Sequence, residues 1–283
     1  MKRIVSLVLV AALLLVSVFA LASCGPKYEP KFGKKFAPQD SQMNVLLALN
    51  AKTIDVGVMD SIMAGYYMSK DTKYANSLMI VEDLVLAEEQ YGIASRKGSG
   101  LTKKINEALV ALTVSGDVGT IAAKYGLENE ICIDTTVTVD PLTDAEKADW
   151  EYIVGKGKFT VGYTLFAPIA YEDDNGDLIG FDIELAKAVA EYLELDVEFQ
   201  VIDWDAKEAL LKAMSIDCIW NGMTITEERI EKMEVSIPYM NNKQVAVIRK
   251  ADAELYKTTA DMAEATVGAE SGSAGMSCAV VEE

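Results

Sequence analysis

The chain has 283 residues, enough for one large domain or two of medium size, and its composition of 51% hydrophobic and 25% charged residues is that of a folded globular protein. With 26 basic against 44 acidic residues the net charge is −18, which argues against nucleic acid as a partner. There is no histidine, which removes the commonest general base, the Ser-His and Cys-His nucleophile pairs and most zinc sites, so no metal and no cofactor is expected.

The first element is "MKRIVSLVLVAALLLVSVFALASC": a basic start, an apolar run over residues 4–20 and small residues before Cys24. That pattern is a secretory signal, and the run is slightly short for a membrane span. "LASC" looks like a bacterial lipobox, which implies that residues 1–23 are a lipoprotein signal peptide and that Cys24 carries the lipid. The mature protein is then anchored to the outer face of the cell membrane without a spanning helix. Residues 24–35 are rich in Pro, Gly and Lys and read as a tether, either a plain solubilising linker or one whose lysines touch anionic lipid.

From there strands and helices alternate, which predicts an α/β fold with mainly parallel sheets. A helix is expected over residues 36–49 after a cap region at Pro38 and Asp40, a buried strand over 53–60 ending in Asp60, and a helix over 61–71. "SLMIVED" and "YGIASRK" are strand-like, and residues 100–127 give two amphipathic helices with Leu101, Ile105, Leu109 and Leu112 on one face. Residues 131–143 lose all periodicity and read as a connector. "DAEKADWEYIVGKG" is a helix with an acidic start and a glycine stop. A strand ("KFTVGYT"), a hairpin ("EDDNGDLIGF"), a helix capped by Asp182 and a strand ("DVEFQVI") follow. Then come a helix ("DAKEALLKAM") for which Asp205 is a plausible cap, a strand ("SIDCIWNG"), a short helix ("TEERIEKM") and a strand over 244–250. The end, "TVGAESGSAGMSCAVVEE", reads as strand, glycine turn and helix start, and its strand needs a neighbour that nothing after it supplies. Cys132, Cys218 and Cys278 show no metal spacing; Cys218 reads as a core thiol and a Cys132–Cys278 disulfide is left open.

Residues 220–250, "WNGMTITEERIEKMEVSIPYMNNKQVAVIRK", with "GYTLFAPIAYEDDNGDLIGFDIELAKAVAEYLELDVEFQVIDWD" before them, resemble the first lobe of extracytoplasmic amino-acid-binding proteins. These are the polar amino-acid receptors of ABC importers, family 3. The family's second lobe looks like the chain's two ends: it begins in "TTADMAEATVGAESGSAGMSCAVVEE" and continues at residues 34–67, so the missing strand lies near Phe36. Residues 88–127 look like the family's C-terminal end. The resemblance implies a type II periplasmic-binding-protein-like fold: two α/β lobes joined by two hinge strands, in circularly permuted order. Residues 36–92 form the first part of the second lobe, residues 93–242 a continuous first lobe including a connector at 128–149, and residues 243–283 the remainder. Permutation is tolerated where the old termini are close and the new ones exposed. The alternatives are a rearranged chain that folds poorly and a swap of ends between molecules.

A free amino acid presents a carboxylate and an ammonium, and burying both needs charged, hydrogen-bonded partners. By resemblance Arg229 clamps the carboxylate; composition alone would make it a surface residue paired with Glu228 or Glu231. Asp60, at a strand end, takes the ammonium, or else caps the next helix. Gly222, Thr224 and the neighbouring Asn221 offer a carbonyl and polar side chains, and Gly272, Ser273 and Ala274 open a helix towards the carboxylate or merely make a tight turn. Phe166 and Trp204 sandwich the ligand's side chain or belong to the core. The resemblance thus implies a monomeric, non-enzymatic receptor with a free amino acid, a permease and an ATPase as partners. The competing readings are a sensor that reports to a separate membrane protein, and a dehydratase-like enzyme whose acid would be Asp60 or Glu270.

Overall fold

The computed structural model describes residues 28–69 and 73–281. The segment read above as a signal peptide, Cys24 and the start of the expected tether lie outside the described residues. Within them no helix is long and apolar enough to cross a membrane.

The fold is built on a nine-stranded sheet. Its order from one edge is Lys35–Gln39, Thr266–Glu270, Val56–Asp60, Met240–Arg249, Leu78–Arg96, Cys218–Thr224, Lys158–Tyr163 and Asp196–Val201, with Met233–Val235 pairing beside Leu78–Arg96. Both ends of the sheet are parallel: Thr266–Glu270 runs with Lys35–Gln39 and with Val56–Asp60, and Lys158–Tyr163 runs with Asp196–Val201 and with Cys218–Thr224. The central strands in each set, Val56–Asp60 and Cys218–Thr224, are buried at every residue, as parallel strands covered on both faces must be. Between the two sets run two antiparallel strands, Met240–Arg249 and Leu78–Arg96, paired from Met240–Tyr91 to Arg249–Leu78. This is the type II periplasmic-binding-protein-like architecture, two α/β lobes joined by two hinge strands.

The unpaired strand near the end of the sequence finds its neighbour at the front, in the register Thr266–Lys35 to Glu270–Gln39. Two sequence expectations change here. The segment expected as one helix over 36–49 is strand Lys35–Gln39 and then helix Gln42–Asn50, capped by the Ser41 hydroxyl. Pro38 cannot donate within a helix, but it is tolerated in this strand, which lies at the sheet's edge. "SLMIVED" and "YGIASRK" are the ends of one 19-residue strand, Leu78–Arg96, whose exposed middle crosses from one lobe to the other.

The other elements follow their local signals. Helix Asp144–Lys156 starts with a capping box between Thr143 and Glu146 and stops at Gly157, which is left-handed at φ 69°. Leu101, Ile105 and Leu109 are buried and Leu112 is partly so, and the Leu101–Ser115 helix packs on Asp117–Tyr125 and Phe181–Tyr192. Two caps differ: Asp182 lies inside the first turn of Phe181–Tyr192, behind Gly180, and Asp203 rather than Asp205 caps the turn at Trp204–Ala206. Cys218 is buried, and Cys132 forms no disulfide, so the Cys132–Cys278 pairing is not made.

One buried charge ties the hinge to the larger lobe. Asp217 accepts from Arg96 Nη1 at 3.2 Å, Lys156 Nζ at 2.6 Å and the Thr160 N–H at 2.8 Å, with its side chain 1% exposed. Removing one member of such a group strands the others in the interior. Asp217→Ala should therefore cost about 3–5 kcal/mol in chemical denaturation; a loss below about 1 kcal/mol, the value of a surface pair, would contradict this.

Candidate functional site

Parallel strands in an open α/β sheet present their carboxyl ends on one side, where ligands bind. Here both lobes turn those ends towards each other. Val56–Asp60 delivers Asp60, Thr266–Glu270 delivers Glu270, and Cys218–Thr224 delivers Asn221, Gly222 and Thr224. The segments after Lys158–Tyr163 and Asp196–Val201 bring Phe166 and Trp204. Together with Arg229, Ser273 and Ala274 these residues line one pocket, partly open to solvent. Of the residues chosen on sequence grounds, only Gly272 stays off its wall; it lines the adjoining groove.

Arg229 is buried rather than on the surface, and it is not paired with its neighbours: Glu228 pairs with Lys232 instead. Its helix, Glu227–Lys232, is capped by Thr226. Its Nη1 donates to the Thr224 carbonyl at 2.7 Å and its Nη2 to the Gly272 carbonyl at 3.3 Å, a bond from one lobe to the other. Burial lowers its pKa, and the nearby carboxyls of Glu89 and Asp60 act in the opposite sense.

Asp60 accepts at Oδ1 from Tyr91 Oη at 2.8 Å, Asn242 Nδ2 at 2.5 Å and Gln244 Nε2 at 2.9 Å, and at Oδ2 from Gln42 Nε2. The same two hinge amides also donate to Glu89, at 2.5 Å from Asn242 and 2.8 Å from Gln244. Burial, and then the Glu89 carboxyl, hold the Asp60 pKa well above the ordinary carboxylate range.

Gly222 donates its N–H to Asp182 Oδ2 at 2.8 Å and to Tyr239 Oη at 3.3 Å. It is left-handed at φ 58°, and an added Cβ would meet the Phe166 ring at 2.8 Å, so the chain here is shaped for glycine. Tyr239 Oη donates to Asp182 at 2.8 Å. Asp182, expected as a cap, thus supports the pocket floor from behind, and burial pushes its pKa up to about 7. Asn221 accepts the Thr164 N–H, while its Nδ2 has no partner among the described residues. Ser273 caps helix Ala274–Ala279 by accepting the Met276 N–H. Gly272 offers its carbonyl to Arg229 and, at 3.1 Å, to Lys207 Nζ.

Gln42, Thr164, Leu165 and Glu270 complete the lining. On sequence grounds Glu270 enters only as an acid for an enzyme. The signal that singles out Asp60, an acid closing a buried strand, is equally present in "TVGAE". Gln42 carries no such signal: it reaches Asp60 only because its helix follows the strand added at the sheet's edge.

With this geometry in place, residues 159–269 match one family model. It is that of the bacterial extracellular solute-binding proteins, family 3. The L-cystine-binding protein TcyJ of Escherichia coli K12 is 31% identical over 114 residues, 40% of this chain and 43% of that protein. The ABC transporter arginine-binding protein 1 of the same organism is 34% identical over 98 residues, 35% of this chain and 39% of that one. A histidine-bound substrate-binding protein of an ABC uptake transporter from Streptococcus pneumoniae is 42% identical, covering 30% of this chain and 35% of that chain with a TM-score of 0.29. The chain therefore spans less than half the length of the curated relatives it matches.

Three buried carboxyls at or behind the pocket are held above their ordinary pKa: Asp60, Asp182 at about 7 and Glu270 at about 8. Such groups bind more protons folded than unfolded, so the stability they contribute is present at low pH and lost as pH rises through their folded values. Lys207, lowered to about 8 by burial and by Arg229, adds stability only above that value. The melting temperature of the ligand-free protein should fall from pH 5 to pH 8; a rise across that window would show the three carboxyls to be ionised in the fold.

Proposed function

We propose that this chain is an extracytoplasmic receptor that closes on a free α-amino acid and delivers it to an ABC importer. The observation that carries the proposal is Arg229, a buried guanidinium at the wall of a pocket on which two buried carboxyls, Asp60 and Glu270, also converge. Arg229 takes the ligand's α-carboxylate and Asp60 its ammonium. Asn221, Gly222, Thr224, Gly272, Ser273 and Ala274 shape the polar floor, and Phe166 with Trp204 walls the side chain. Charge-assisted hydrogen bonds contribute roughly 1.5–3 kcal/mol each, so three or four, less ordering costs, support binding on the order of micromolar. The named functions of the matched relatives, cystine and arginine binding, support the ligand class.

In this reading the chain is a circularly permuted family member. The first lobe is residues 93–242, with residues 128–149 joining the old termini, and the second is residues 36–92 with 243–283. The parallel pairing of Thr266–Glu270 with Lys35–Gln39 supports it, and so does a family match confined to residues 159–269, since a collinear comparison follows one uninterrupted run. The ends pair within one chain, which favours a monomer. A lipid on Cys24 anchors the receptor to the outer face of the membrane, beside its permease and ATPase. A sensing role would use the same site and differ only in the membrane partner.

Thermal melting of the detergent-purified protein against the twenty amino acids tests this. One or a few should raise the midpoint, by about 2.7 kcal/mol of stability at a hundredfold excess over Kd. Arg229→Ala and Asp60→Ala should abolish the shift and still melt cooperatively. A cooperative melt that no amino acid moves would refute the proposed ligand.

A further inference from the structure

Of the two carboxyls that line the pocket, Glu270 alone has a buried oxygen without a partner among the described residues. It is 5% exposed, it lines the pocket, and its Oε1 has no hydrogen-bond partner among the described residues. Asp60, at the end of the neighbouring parallel strand, already accepts from four side chains. An ionised carboxylate buried without a donor is costly, and burial is the main reason that the Glu270 pKa rises to about 8.

The charged groups around Glu270 do not complete it. Lys207 is the nearest cation by its electrostatic influence, but its Nζ donates at 3.1 Å to both the Trp204 and Gly272 carbonyls and lies 4.9 Å from the centre of the Trp204 ring. Arg229 donates to the Thr224 and Gly272 carbonyls and not to Glu270. Asp203 is acidic and pushes the Glu270 pKa further up, while Asp60 lines the pocket from its strand end and Glu89, on the hinge, lines the adjoining groove. The protein thus presents Glu270 to the pocket as an acceptor with no donor of its own.

On the receptor reading above, a zwitterion's carboxylate goes to Arg229 and its ammonium to Asp60, which leaves Glu270 for a third group. We propose that the ligand is an α-amino acid with a cationic side chain, of the lysine, ornithine or arginine type, and that Glu270 receives that cation. Phe166 and Trp204, both buried, line the same pocket and would suit the methylene stem of such a ligand. Because Glu270 is protonated in the free site near neutral pH and ionised against a cation, binding releases a proton.

Isothermal titration of the protein with lysine, ornithine, arginine, glutamine and glutamate tests this. Each titration is run in two buffers of different ionisation enthalpy, at pH 6.5 and pH 9. A basic amino acid should bind most tightly and, at pH 6.5, release close to one more proton from the unaltered protein than from Glu270→Gln; that difference between the two proteins should largely vanish at pH 9, where the ligand's own α-ammonium is partly deprotonated for both. Glu270→Gln should weaken that ligand roughly ten- to hundredfold and remove the extra proton, any remainder belonging to Asp60. Tight binding of glutamine or glutamate with no basic ligand would overturn the inference and leave the receptor reading standing. Unchanged affinity for the basic ligand in Glu270→Gln would do the same. Binding of none of them would overturn the inference, and the melting screen against the twenty amino acids would then decide the receptor reading separately. Should Glu270→Gln melt without cooperativity, proton release by the unaltered protein decides, and its absence overturns the assignment.

Discussion

The half of the sheet that carries Asp60 and Glu270 exists only when the two ends of the described chain meet. Thr266–Glu270 is flanked on one side by Lys35–Gln39 and on the other by Val56–Asp60, strands more than two hundred residues earlier in the sequence. Closing so long a loop costs entropy that must be met before any contact in that lobe forms, although the cost grows only slowly with length. The other parallel set draws on a nearly continuous run of chain between Lys158 and Thr224. Its order of assembly is local, and it offers the docked face on which the distant pairing is completed through the two hinge strands.

Those hinge strands do more than connect. Asn242 and Gln244 on one of them donate to both Asp60 and Glu89, which places a carboxyl of the pocket and a carboxyl of the hinge in one hydrogen-bonded unit. Charge at the site and geometry at the hinge are therefore coupled by short bonds rather than by distance. The buried carboxyls are costly to ionise, and a protein selected for stability alone would not keep them. Their concentration around one pocket is the signature of binding chemistry.

Much of this was legible in the sequence where the signal was local. Unbroken apolar runs marked the central parallel strands, the capping box and glycine stop marked helix Asp144–Lys156, and an acid at a strand end marked Asp60. What was not legible depends on tertiary placement. Pro38 reads as a helix start until its strand is known to lie at an edge. The middle of Leu78–Arg96 is exposed between lobes and so carries no alternation to betray a strand. Asp182 has the look of a cap, yet its work is to receive Gly222 and Tyr239 from strands folded against it. Gln42 and Lys207 acquire meaning only from the neighbours the fold gives them.

The lobes meet through a peptide group. Arg229 and Lys207 both donate to the carbonyl of Gly272, and the left-handed backbone there, with Asp205 crowding the position a Cβ would occupy, holds it to glycine. A main-chain acceptor is not deleted by exchanging the residue that bears it, as a side-chain acceptor is. The contact between the lobes therefore does not depend on which side chains stand at the strand ends, Asp60 and Glu270 among them. On the proposed receptor reading, selectivity and closure would then sit on separable parts of the chain.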